Sequence, residues 1–352
     1  MKRKHLFILT GIFFSVVLLM TILNFVTKKP NTEKNGFNRM AFKTPVTKLN
    51  EIHFDQRITD IAGITEKNIY ITPNDPSKII ITDRNLKSEK QIDLNIHSSD
   101  QLKSNFKIIV HPPDLYILAA NVPAIIHYNL DTKKEITYKI NRAYSRCILV
   151  TPSMAIIRGF DSSFQDENLR KANLLTGTYT NEKNITEKTE GGGFSTDGML
   201  NYDTLTNKVI YTHFYSNKIL YLDTNLNLLY KGKAVDTFSA YQAKARGIKS
   251  VKGTAFGFAA PPKLLSLYSY TDKGKLFIYS KVKADNETSE AYQNNTIIDI
   301  YDINTGKYSG SLYIPVEQAG KRMYKFKVAN DLLIALYDKS VVTYHININA
   351  LL

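Results

Sequence analysis

The chain has 352 residues, 43 % of them hydrophobic, which is ample for a folded core and excludes a disordered protein. A single cysteine, Cys147, excludes an intrachain disulfide and a thiolate metal cluster, and is expected to be a small buried apolar residue. The formal charge of +14 points to anionic partners, but half of that excess sits in residues 1–45, where eight bases face Glu33 alone, so no nucleic-acid partner is expected.

Lys2, Arg3 and Lys4 precede an uncharged run of 21 residues, Leu6 to Val26, LFILTGIFFSVVLLMTILNFV. Crossing a bilayer takes about 20 predominantly apolar residues. The run leaves through Asn24-Phe25-Val26-Thr27-Lys28-Lys29, without the short apolar core and small-x-small exit of a cleaved signal peptide, and no cysteine follows it to carry a lipid. Residues 1–29 are therefore expected to be a basic cytoplasmic leader and a single-pass transmembrane signal anchor in a bacterial inner membrane. The remainder would lie in the periplasm or outside the cell. Residues 30–45, PNTEKNGFNRMAFKTP, are polar and aperiodic and read as a flexible linker.

From Val46 onward no apolar stripe of helical period is sustained. Short runs rich in Ile, Val, Tyr, Leu and Thr alternate with Asn, Asp, Gly and Pro corners. A strand-corner-strand unit recurs as IIITDRNLKSEKQIDL (Ile79 to Leu94), IIHYNLDTKKEITYKI (Ile125 to Ile140), RKANLLTGTYTNEKNI (Arg170 to Ile185), KILYLDTNLNLLYKGK (Lys218 to Lys233) and IDIYDINTGKYSGSLY (Ile298 to Tyr313). A shortened sixth, VVTYHININALL, ends at Leu352. The corners Asp83, Asp131, Leu175, Asp223, Asp302 and Asn347 follow at intervals of 48, 44, 48, 79 and 45 residues, the long interval holding two insertions. The third unit has LLTG where most others carry an aspartate.

A period in the mid-forties built of short strands predicts a β-propeller of four-stranded blades. Six units fit residues 46–352. The last stops after its third strand, and VTKLNEIHF (Val46 to Phe54) is expected to complete it from the other end of the chain. The expected class is thus all-β: a six-bladed propeller closed by an N-terminal outer strand, behind one N-terminal transmembrane helix.

In this respect residues 46–352 resemble the superfamily of six-bladed bacterial propellers, TolB-like or NHL-like in general appearance. The resemblance rests on repeat shape, since no WD dipeptide or kelch Gly-Gly pair recurs, and it implies a fold and no activity. In such a fold the turn between third and fourth strands lies away from the usual ligand entrance, so corners such as DTNL (Asp223 to Leu226) are architecture.

The opposite face gathers the loops between blades, where Arg57, Lys103, Arg142, Arg146, Lys263, Lys321 and Arg322 fall. The insertion 237–262 adds Lys244, Arg246, Lys249 and Lys252 without one acid, and is expected to be a lid over the channel or a contact for an anionic membrane. A second insertion, ADNETSEAYQNN (Ala284 to Asn295), is expected to be a solvated hairpin tip. The ligand-binding candidates are Arg57, Arg142, Arg146, Arg246, Lys263 and Arg322, a ring of bases suited to a carboxylate, a phosphate or an acidic peptide.

Catalytic patterns are absent from the sequence. Seven histidines are scattered singly without zinc-site spacing, Gly191-Gly192-Gly193 lacks the ending of a phosphate loop, and no G-x-S-x-G occurs. The expectation is a non-catalytic binding or scaffold module without a cofactor, meeting a protein or small anionic ligand in the cell envelope. The alternative implied by the propeller resemblance is a calcium-dependent, lactonase-like hydrolase using the channel, with Asp60, Asn121, Asp161 and Asp197 near its axis.

Overall fold

A computed structural model describes residues 3–27, 34–42, 46–97, 102, 106–120, 122–140, 142–160, 167–183, 185–187, 191, 193–250, 253–316 and 321–347. Helix α1 (Arg3–Thr27) comes first. Its described side chains from Phe7 to Leu23 are exposed. The hydroxyls of Ser15 and Thr21 donate to its own carbonyls at Gly11 and Val17, 2.8 and 2.7 Å away. Among the described residues no helix is long and apolar enough to cross a membrane.

The rest is a six-bladed propeller of antiparallel four-stranded sheets. Strand β1 (Thr47–His53) leads in sequence. Blade 1 is β2 (Ile58–Ile64), β3 (Asn68–Pro73), β4 (Lys78–Asp83) and β5 (Glu89–Asp93); blade 2 is β6 (Phe106–His111), β7 (Asp114–Ala119), β8 (Ala124–Asn129) and β9 (Glu135–Lys139). Blade 3 is β10 (Arg146–Thr151), β11 (Met154–Phe160), β12 (Glu167–Asn173) and β13 (Thr178–Lys183); blade 4 is β14 (Gly198–Asp203), β15 (Lys208–His213), β16 (Lys218–Leu222) and β17 (Leu228–Lys233). A hairpin, β18 (Ala245–Ser250) and β19 (Gly253–Phe258), intervenes. Blade 5 is β20 (Ser266–Asp272), β21 (Lys275–Ser280), β22 (Asn295–Asp302) and β23 (Tyr308–Pro315), with helix α2 (Ser289–Gln293) between its middle strands. Blade 6 is β24 (Lys325–Ala329), β25 (Leu332–Leu336) and β26 (Ser340–His345). Its outer position is taken by β1, antiparallel to β26 from Thr47 opposite His345 to His53 opposite Ser340.

The strand sequences dictate this stacking. Middle strands such as LLIAL and KLFIYS are buried on both faces, whereas outer strands such as EKQID and LLYKGK turn polar side chains to water. A sheet apolar on both faces must be covered on both. The apolar side chains accordingly form a cluster at each of the six junctions between neighbouring blades. Ile58, Ile61, Ile334 and Val341 join blade 6 to blade 1, and Ile148, Ile156, Leu200 and Leu220 join blade 3 to blade 4.

The recurring corners are Asx turns, in which a side-chain oxygen takes backbone amides two to four residues on. Asp83, Asp223 and Asp302 do this, accepting from Asn85, Asn225 and Asn304 at 2.7, 2.9 and 3.1 Å. In blades 2 and 3 the acceptor stands two residues before the expected corner: Asn129 takes the amides of Asp131 and Thr132, and Asn173 takes that of Leu175. Unit three therefore has its turn residue after all, and LLTG is the loop that follows it.

Within the stretch read as a flexible linker, residues 34–42 lie along blade 5. The guanidinium of Arg39, a residue 5 % exposed, meets Asp299 at 2.8 Å, Glu287 at 3.1 Å, Ser280 Oγ at 2.6 Å and the Val282 carbonyl at 2.8 Å. The polar composition that reads as a tether is here a row of docking groups. The acidic insertion Ala284–Asn295 is likewise no free hairpin tip. Ala284 and Glu287 are 1 % and 8 % exposed, and the segment ends in α2, capped by Thr288.

Neighbouring inner strands β2 and β6 approach closely at Gly63, where an added Cβ would lie 3.1 Å from Val110 Cβ and against its carbonyl. Replacing Gly63 with alanine should lower unfolding free energy by about 1–3 kcal/mol, the usual penalty of overpacking. An unchanged denaturant midpoint would contradict this packing.

Candidate functional site: a lysine-lined channel

The six inner strands run side by side around the axis and enclose a cavity of about 850 Å³. Side chains two apart on a strand share a face, so each inner strand sends every second residue into the channel. From β6 these are Lys107, Ile109 and His111; from β20, Tyr268, Tyr270 and Asp272; from β24, Lys325 and Lys327. Strand β2 lies between β6 and β24 and contributes Asp60, then Ala62 and Gly63, whose small size keeps the wall open there.

Lys325 Nζ donates to Asp60 Oδ2 at 3.0 Å and to the Thr59 carbonyl at 2.9 Å. Burial pushes the Asp60 carboxyl up, but Lys325, Lys107 and Lys327 outweigh it and hold it below its ordinary value. Lys107 and Lys327 suffer the converse. Burial lowers the pKa of Lys107, against the pull of Asp60 and with the push of Lys325. Lys327 is brought down to about 8 by burial, which the attraction of Asp60 does not offset. Its Nζ stands 5.5 Å from the Tyr270 ring centre and 3.4 Å from the Ala62 carbonyl. Three ammonium groups thus share one carboxylate.

The far end of the channel has the opposite sign. Asp114 holds His127 at 2.7 Å, Asp203 accepts from Gly274 and Thr206, and burial raises Asp272 to about 6. Lys273 lines this end with them.

Of the six bases expected from sequence, Arg146 lines the channel. Its guanidinium is committed to Asp197 at 2.7 Å and to the Gly198 and Ser145 carbonyls at 2.9 and 2.8 Å. Asp197 also takes Arg158, 1 % exposed, at 3.1 Å; Arg158 further pairs with Glu167 and donates to the Gly193 carbonyl at 2.8 Å. Arg57 pairs on the surface with Asp338 at 3.0 Å. Arg142 lies beside Tyr179 of blade 3. Arg246 is exposed on β18, and Lys263 sits 3.9 Å above the Phe238 ring. Arg322 stacks on Tyr292 and donates to the Tyr292 and Gln293 carbonyls at the end of α2. The β18–β19 hairpin expected as a lid packs on blades 3 and 4, with Phe256 beside Phe160 and Phe258 beside Phe194 and Tyr215. It is not among the channel-lining residues.

For the calcium alternative, Asp60 and Asp197 are engaged as just described, and Asn121 and Asp161, like Lys103, lie outside the described residues. Among the described residues no group of three His, Cys, Asp or Glu stands ready to hold a metal ion. Cys147 borders the channel but is buried in the apolar cluster between blades 2 and 3, and burial pushes its thiol up to about 12.

Comparison with known proteins adds the fold alone. No protein-family profile and no curated protein matches the chain. Similar solved structures include a DUF4221-family protein of Bacteroides vulgatus, 10 % identical, with a TM-score of 0.51 over 89 % of this chain and 98 % of the other. A protein of unknown function from Bacteroides thetaiotaomicron is also 10 % identical, with a TM-score of 0.51 over 88 % of this chain and 75 % of the other. An inactive virginiamycin B lyase of Staphylococcus aureus, crystallised with quinupristin, is 8 % identical, with a TM-score of 0.48 over 86 % of this chain and 99 % of the other.

Lys327 gives a pH signature. Its folded pKa of about 8 lies below the unfolded value of about 10.4, so between these values the unfolded chain binds more protons. Its contribution to stability should therefore rise with pH across that window. Lys327→Met should be more stable than the parent at pH 7, with a flatter profile from pH 8 to 10. Parallel profiles for the two proteins would show Lys327 to be ordinarily solvated.

Proposed function

We propose that the protein is a membrane-tethered, extracytoplasmic propeller that binds an anionic ligand at the basic mouth of its channel and does not transform it. The observation carrying this reading is the meeting of Lys107, Lys325 and Lys327, from two blades flanking a third, around the lone carboxylate of Asp60. Like charges held together in a partly dry wall repel, and an incoming carboxylate or phosphate relieves that repulsion while accepting charge-assisted hydrogen bonds. Tyr268 and Tyr270 on the facing strand add hydroxyls and ring faces to the same space. The tether reading is supported by the 21 uncharged residues from Leu6 to Val26 after a basic leader, and by the exposed apolar side chains of α1. The self-satisfied hydroxyls of Ser15 and Thr21 suit that apolar setting.

The test uses membranes containing the full chain, washed with alkaline carbonate and assayed with radiolabelled citrate. The chain should remain with the membrane and bind citrate without added metal. Lys107→Met and Lys327→Met should each weaken binding by about tenfold or more, as the loss of a charge-assisted bond does, while Arg57→Ala leaves it unchanged. Unaltered affinity in the lysine variants would overturn the reading, and binding that vanishes with chelator and returns with calcium would favour the hydrolase.

A further inference from the structure

A second cavity, of about 150 Å³, opens between blades 3 and 4 at the ends of β13, β15 and β17. His213, at the end of β15 and 1 % exposed, forms part of its wall. Its Nδ1 stands 2.9 Å from the Lys218 carbonyl. A carbonyl only accepts, so Nδ1 carries the proton and Nε2 presents a lone pair. Burial, reinforced by the charge of Arg158 and opposed by that carbonyl, lowers the imidazole pKa to about 4, so this neutral form holds at neutral pH. Nε2 has no hydrogen-bond partner among the described residues, and neither has Oγ1 of Thr186, 7 % exposed in the same wall. Buried polar atoms are normally paired, so two orphans on side chains that line one cavity mark a place where something else supplies the partner.

The rest of the lining limits what that is. Ile185, Ile219 and Leu220 are apolar, and the Lys218 ammonium is held by Glu187 at 2.6 Å, 4.3 Å from the Tyr241 ring centre. Lys231 and Lys233 are exposed beside it. Three ammonium groups against one engaged carboxylate oppose a metal cation, although a lone-pair imidazole would otherwise suit one. A hydroxyl satisfies both orphans at once, since it donates to Nε2 and accepts from Thr186, and the lysines match a carboxylate. The volume is that of about five waters. We propose that this cavity binds a small hydroxycarboxylate, its hydroxyl between His213 and Thr186 and its carboxylate toward Lys231 and Lys233. The site is independent of the channel and of any ligand bound there.

The test follows the His213 ring nitrogens by ¹⁵N NMR in the full chain in detergent, during titration with lactate and with propionate, its match lacking the hydroxyl. Lactate should move the Nε2 resonance and propionate should not. Thr186→Val, which keeps the shape of the wall, should weaken lactate binding by about tenfold, as should His213→Phe. The proposal is overturned if propionate shifts Nε2 equally, if about 50 mM lactate leaves Nε2 hydrogen-bonded to water only, or if Thr186→Val binds lactate as the parent does.

Discussion

Everything in this molecule depends on sheets that are apolar on both faces. A strand such as AIIHYN or LLIAL leaves no side of its sheet for water, so each blade needs a neighbour on either side, and the requirement ends only when the ring returns on itself. Ring closure then fixes the axis. The inner strands surround it, and residues from blades far apart in sequence share one wall, as Lys107 and Lys325 do beside Asp60. The geometry of the candidate site is thus a by-product of the packing: no segment of the chain holds the channel wall by itself.

The same logic accounts for charged groups inside the wall. Inner strands face the channel with one side and the neighbouring blades with the other, so period-two polarity there costs less than it would in a middle strand, although burial still penalises the charge of Lys107 and Lys327. The wall is electrically divided, basic around Lys107, Lys325 and Lys327 and acidic around Asp114, Asp203 and Asp272. The formal charge of +14 is a poor guide to this division. Many of the bases are spent on structure, as Arg39 is on Asp299 and Glu287, and Arg146 and Arg158 are on Asp197.

The propeller was legible because turn chemistry and strand burial are local. Asp83, Asp223 and Asp302 mark their corners by residue type alone, and the six units follow. The register slipped at Asn129 and Asn173 because asparagine takes the same backbone bonds as aspartate, while a nearby Asp131 or Leu175 drew the alignment. The channel lysines are harder to read for a related reason: their signal lies outside the loops, as lysine at alternate positions of otherwise apolar inner strands, in FKIIVH and KFKVA. The docked segment around Arg39 was beyond reach, since its partners Asp299 and Glu287 stand about 250 residues away in sequence and only the fold brings them together. The aromatic contacts of the β18–β19 hairpin were hidden in the same way.

The most direct measurement is anomalous diffraction from crystals soaked briefly in bromide, which reports where a bare anion settles when no shape is asked of it. The account predicts the strongest bromide peak on the channel wall between Lys107, Lys325 and Lys327, within ion-pair distance of at least two of their ammonium groups. Bromide spread over surface lysines and arginines, with none on that wall, would contradict it.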